Sequence, residues 1–232
     1  MRAVIMDVDG TLYRQGPVRR YVAIRLLRYS LLHPVKGWKT VRALAAYRRA
    51  QEHLRAAGDG DGARRQTGQA AHQTGYTTAF IGECVERWMN CVPLDSLKAA
   101  RPPDLIPFLD WACGEGLRLA VVSDYEVGNK LRVLGIDGYF PVAVCAQDEE
   151  VGFFKPNPRA LEVALQRLNL TPGEAIYVGD RPEVDGAAAV AAGIPGVIIS
   201  HRAVKPVPGV VTINSWMELR SLIGARREKH SI

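Results

Sequence analysis

The sequence predicts an α/β fold: a Rossmann-like parallel sheet with helices on both faces, interrupted by an inserted all-helical domain. Three observations predict it. Compact apolar runs with β-branched residues recur along the chain, as in "RAVIMD" (2–7), "LRLAVVS" (117–123) and "AIYVGD" (175–180). Helical spacing fills the intervals between the later runs, and strands alternating with helices call for a parallel sheet covered on both faces. About a hundred residues with helical character separate the first run from the second, and an inserted domain is the economical explanation.

Taken in order, the first strand gives way to a loop by residue 13. From Val18 the pattern turns helical: Tyr21, Ile24, Leu27 and Leu31 keep helical spacing until Pro34 breaks the run. Trp38, Val41, Leu44, Ala45 and Leu54 carry a second helix. "GDGDG" (58–62) reads as a loop by its glycines, and its Asp59 and Asp61 lack the spaced ligands of a calcium loop. Residues 63–73 and 77–91 predict two more helices. After Pro93 the pattern changes. Strands are expected at 117–123, 141–146, 175–180 and 196–200, with 210–214 as an edge, and helices at 103–114, 126–134, 158–168 and 183–192. The predicted domains are 1–14 with 97–232 as the core, and 15–96 as the helical insertion.

Composition narrows the class. Of 232 residues, 47% are hydrophobic and 23% charged, which is the balance of a soluble globular chain. Charges or glycines cut every apolar stretch short of the ~20 residues that span a bilayer, so no transmembrane segment is expected. The N-terminus enters a strand at once, without the basic region and apolar core of a signal peptide, so a cytoplasmic location is expected. Cys84, Cys91, Cys113 and Cys145 form no CxxC pair and read as reduced, mostly buried thiols, with Cys84 and Cys91 sharing one helical face. Net charge is +6, unevenly spread: Arg14 to Ala57 holds eleven basic residues against Glu52 alone, a local +10 that leaves −4 elsewhere. An anionic partner follows, whether nucleic acid, an acidic membrane surface or a phosphorylated substrate.

The polar residues at the carboxyl ends of the predicted strands form a pattern. Strand one ends in Asp7 and Asp9, strand two in Ser123 and Asp124. Lys155 follows strand three in "FFKPNP". Strand four ends in Asp180, with Asp185 five residues on. Each alone has an ordinary explanation: a turn for "DG", a helix cap for Ser123, a solvated cation for Lys155. Ligands of open parallel sheets, however, bind outside the carboxyl ends of the strands, where all of these would converge. Clustered carboxylates need a cation, and Mg²⁺ is the hard ion that carboxylates share with phosphate oxygens. One carboxylate can attack phosphorus while a second handles protons, and a lysine and a hydroxyl can hold phosphoryl oxygens.

Four stretches in this order, "DVDGT" (7–11), "VVSD" (121–124), "KPNPRALEVAL" (155–165) and "VGDRPEVDGAAAVAAG" (178–193), resemble the haloacid dehalogenase superfamily of hydrolases. Within it, the chain looks like the phosphoglycolate-phosphatase-like phosphatases with a helical cap. The resemblance implies Asp7 as nucleophile and Asp9 as general acid and base. It implies Thr11 and Ser123 as phosphoryl contacts and Lys155 as a charge-offsetting catalytic lysine. Mg²⁺ would be held by Asp7, the backbone carbonyl of Asp9, Asp180 and, directly or through water, Asp185. An acid at position 9 argues against dehalogenase chemistry. Two positions depart from the usual pattern: Asp124, where many relatives carry Asn and where an acid would have to point away or meet a substrate hydroxyl, and Ala188, often Gly.

The resemblance also makes the insertion a cap that closes over the cleft and selects substrate. Its basic residues read as a solvated face, as arginines such as Arg14, Arg19 or Arg20 reaching a second anionic group, or as membrane contact through "VRRYVAIRLLRYSLL" (18–32). The expected activity is a Mg²⁺-dependent phosphatase acting on a small phosphorylated substrate. Alternatives are a phosphomutase, a membrane-peripheral lipid-phosphate phosphatase and a non-catalytic anion-binding module. No nucleic-acid partner is expected, because the acidic cluster repels one. Nothing marks a self-complementary surface, so the oligomeric state stays open.

Overall fold

The computed structural model describes residues 1–58 and 60–228 and divides the chain into two compact units. Asp59 of the "GDGDG" loop and Lys229 of the basic C-terminal run lie outside the described residues.

The larger unit comprises Met1–Arg14, Arg101–Val151 and the chain from Lys155 onward. Its six strands are β1 (Ala3–Met6), β2 (Arg118–Ser123), β3 (Val142–Cys145), β4 (Ala175–Gly179), β5 (Gly196–Ile199) and β6 (Val210–Ile213). They pair in the order β3-β2-β1-β4-β5-β6, all parallel. The first strand in the chain is therefore central, and every residue in it is buried, as a strand covered on both faces requires. Alternation along β1 sends Ala3 and Ile5 into a cluster with Val122, Leu161, Ala164 and Tyr177. Met6 lies opposite Val121 on one side and Val178 on the other. That register aligns the carboxyl ends of β1, β2 and β4, and the connection order reverses between β1 and β4, where such sheets open a crevice. Helix α8 (Arg159–Leu168) packs on β2 and β3, while α6 (Leu105–Gly114) packs on β2 with α10 (Trp216–Glu228) beside it.

The smaller unit is Gln15–Ala100 together with Gly152–Phe154, so residues 97–100 and 152–154, expected in the core, fall in this unit. It holds α1 (Gln15–Leu32), α2 (Pro34–Ala57), α3 (Gly62–Thr74), α4 (Thr78–Val85) and α5 (Leu94–Ala100). A buried stripe on α2, Thr40, Ala43, Tyr47, Ala50 and Leu54, keeps helical spacing and faces the alanine-rich α3. The Gly152 carbonyl accepts the N–H of Ala63 at 3.4 Å, and Arg55 lies over the Phe154 ring at 6.0 Å.

Three expectations change. The helix expected over 77–91 is α4 followed by a π-helical stretch, Glu86–Cys91. The wider turns shift the register, so Cys84 is buried while Cys91 is exposed; Cys113 is exposed too and Cys145 half-buried, so the thiols are free but not mostly buried. The helix expected over 183–192 is a π-helical turn, Pro182–Gly186, leading into α9 (Ala187–Ala191). The described chain ends in α10, where Arg227 pairs with Glu115 at 3.1 Å.

Candidate active site

Every candidate site residue belongs to the larger unit. After β1 the chain turns sharply at Gly10, whose φ is +111°. A Cβ there would sit 2.1 Å from Asp180 Oδ2, so glycine alone lets this loop lie against the end of β4. The turn holds Asp7 and Asp9 at one end of the sheet, with Thr11 buried and donating its hydroxyl to Asp7 Oδ2 at 3.0 Å.

Lys155 is the hub. It is 4% exposed, and its ammonium reaches Asp7 Oδ1 at 2.5 Å, Asp185 Oδ1 at 2.6 Å and the Tyr177 hydroxyl at 3.0 Å. Asp185 is held further by Tyr177, which donates its hydroxyl at 2.9 Å, and by the N–H groups of Asp180 and Arg181 at 3.2 and 3.0 Å. Burial works against charge on Asp185, but Lys155 and these donors prevail and hold its carboxyl below the ordinary range. Burial pushes Asp7 well above that range despite Lys155, and the charges of Asp185 and Asp180 push the same way. Burial first and Asp185 second lift Asp180 to about 7, although the charges of Lys155 and Arg181 pull the other way. Lys155 is held protonated, since burial disfavours its charge but Asp185 and Asp7 outweigh that.

Asp9 has a different set of neighbours. Both of its carboxylate oxygens accept from Lys130 of α7 (Gly128–Leu134), each at 2.7 Å. The Tyr13 hydroxyl donates to it as well. Burial again opposes the charge, but Lys130 and Tyr13 win and lower the Asp9 pKa. Two carboxylates one residue apart therefore point at separate partners. Ser123 is buried, its Oγ accepting the Tyr125 N–H at 3.3 Å. Asp124 accepts the backbone N–H of Lys155 at 3.2 Å, which ties the β2 end to the lysine loop and gives the extra acid a local partner.

Lys130, Tyr177 and Tyr13 were not singled out from the sequence. Lys130 looks like any surface lysine on an amphipathic helix, and Tyr177 like one more core aromatic. The only sequence signal for Tyr177 is a hydroxyl placed three residues before Asp180 in an otherwise apolar strand.

Oxygens of Asp7, Asp180 and Asp185 lie within 4.8 Å of one another. Carboxylate oxygens at that spacing, those of Asp7 and Asp180 with pKa values raised by burial and by neighbouring carboxylates, fit a hard divalent cation. Asp9 brings no carboxylate to the cluster, so a contribution from it would come from its backbone carbonyl.

A family model described as haloacid dehalogenase-like hydrolase matches residues 1–193. Glyceraldehyde 3-phosphate phosphatase of Methanopyrus kandleri is 28% identical over 86% of this chain and 84% of its own length. Phosphoglycolate phosphatase of Rhodospirillum rubrum is 27% identical over 86% and 80%. Among solved structures, a HAD phosphatase from Thermococcus onnurineus covers 97% of this chain and 98% of its own, with a TM-score of 0.66 at 23% identity, a likeness of fold.

Proposed function

Because the chain belongs to the haloacid dehalogenase-like hydrolases, we propose that it is a Mg²⁺-dependent phosphatase of a small phosphomonoester, working through an aspartyl-phosphate on Asp7. The observation that carries this reading is the separation of Asp7 and Asp9: two carboxylates at the end of the central strand, one in the Lys155–Asp185–Asp180 cluster and one with Lys130 and Tyr13. Different environments suit different roles.

In this reading an Asp7 oxygen attacks phosphorus and the bond from phosphorus to the ester oxygen breaks. Asp9, protonated and released from Lys130, gives its proton to the departing oxygen. Asp9 then takes a proton from water, the water oxygen attacks phosphorus, and the bond to Asp7 breaks to give inorganic phosphate and a free carboxylate. Lys155 and Thr11 fix Asp7 in line, and Ser123 donates to a phosphoryl oxygen. Mg²⁺ held by Asp7, Asp180, Asp185 and the Asp9 carbonyl would supply positive charge against the phosphoryl oxygens. Relatives named for glyceraldehyde 3-phosphate and phosphoglycolate support a small substrate. A cytoplasmic location accords with four free cysteines.

The test is turnover of p-nitrophenyl phosphate by the wild type and Asp7→Asn, with and without Mg²⁺. Mg²⁺-dependent turnover lost in Asp7→Asn is expected. No turnover by the wild type, or equal turnover by both, overturns the proposal.

A further inference from the structure

The α1–α2 hairpin of the smaller unit carries a surface that catalysis does not use. The two helices meet backbone to backbone: a Cβ on Gly37 would lie 2.4 Å from Ser30 Cα. No core fits between helices that close, so the side chains around the turn point outward. Leu31 is 73% exposed, Leu32 77% and Trp38 60%, and Leu27 and Val35 are similarly open. Large apolar side chains left exposed together mark interaction sites.

The charges around the patch say what kind of site. Arg28, Lys36, Lys39 and Arg42 are all exposed beside these residues, and Arg42 lies over the Trp38 ring at 5.4 Å. No acidic residue occurs between Arg14 and Gln51. A second copy of this chain seated face to face would set these cations against themselves, because a two-fold contact pairs a patch with itself. An apolar tip ringed by cations instead complements a surface that is apolar beneath and anionic above. Arginine, lysine and tryptophan at that boundary are the residues of interfacial helices.

We propose that the tip of the α1–α2 hairpin docks this protein on anionic lipid bilayers. It is a peripheral contact, since no helix among the described residues is long and apolar enough to cross a membrane. It stands apart from the catalytic reading, since none of these residues belongs to the site.

The experiment is co-sedimentation of the full chain with phosphatidylcholine vesicles, with and without phosphatidylglycerol, at low and high salt. The expected result is salt-sensitive binding to the anionic vesicles alone. The triple change Leu31→Ser, Leu32→Ser, Trp38→Ser is expected to weaken it at least tenfold. Arg28→Gln with Lys36→Gln should weaken it roughly fivefold for each cation removed. All these side chains are exposed, so both variants should keep the wild-type far-UV spectrum and melting temperature. The proposal is overturned if anionic vesicles do not bring the protein down at low salt, or if folded variants bind as the wild type does. It is also overturned if the leucine and tryptophan changes abolish only self-association, or if only RNA is bound.

Discussion

Lys155→Met removes an ammonium that faces both Asp7 and Asp185. With Asp7, Asp180 and Asp185 all ionised, that ammonium brings the cluster from −3 to −2; methionine keeps the length of the side chain but not the charge. Breaking a buried ion pair costs about 3–5 kcal/mol, and here one cation serves two carboxylates of 7% and 2% side-chain exposure. Protonation limits the cost. Without Lys155 the folded-state pKa of Asp7 rises further above the unfolded value of about 3.9, and Asp185, no longer held below that value, rises as well. The variant thus matches the wild type most nearly below that value and loses ground as pH rises through the folded-state values. In metal-free buffer at pH 8 the melting temperature should fall by roughly 6–20 °C, taking about 2–4 °C per kcal/mol, and by much less at pH 5. Circular-dichroism melts across this range measure it. A loss of equal size at every pH, or none at pH 8, would refute the reasoning that Lys155 balances buried carboxylates.

Other consequences follow from the same geometry. Asp180, lifted to about 7 by burial and Asp185, contributes stability that is present below the unfolded carboxylate pKa and lost as pH rises through 7. The metal-free melting temperature should therefore decline toward pH 8, Asp180→Asn should flatten that decline, and Mg²⁺ should stabilise more at pH 8 than at pH 6. Lys130→Met removes the charge that keeps Asp9 low, so the pH–rate limb belonging to Asp9 should move to higher pH; an unmoved profile would separate Lys130 from proton transfer. Gly10→Ala would place a methyl group 2.1 Å from Asp180 Oδ2. Turnover should drop about a hundredfold through misplacement, together with Mg²⁺-dependent thermal stabilisation.

Strands buried on both faces were the most legible part of the sequence, because continuous apolar runs such as "LRLAVVS" admit few other readings. The acids at their ends were legible because strand ends converge in a parallel sheet. Helix α10 was not: Trp216, Leu219 and Ile223 keep helical spacing and are fully buried, but the basic run beyond them looks like a solvated tail. The π-helical stretches have no local signature, so the opposite exposures of Cys84 and Cys91 could not be foreseen. Lys130 shows the deeper limit. Its partner Asp9 lies 121 residues away, and no local pattern tells a lysine that pairs across a cleft from one that faces water.

The most direct measurement of the central claim is chemical trapping. Borohydride added during turnover of p-nitrophenyl phosphate in Mg²⁺ reduces an acyl phosphate to the alcohol, which turns a phosphorylated aspartate into homoserine. Mass spectrometry of the N-terminal peptide should find homoserine at position 7 and unmodified aspartate at position 9, and no conversion when Mg²⁺ is withheld. Turnover with no homoserine at position 7, or with homoserine elsewhere, would contradict Asp7 as the nucleophile.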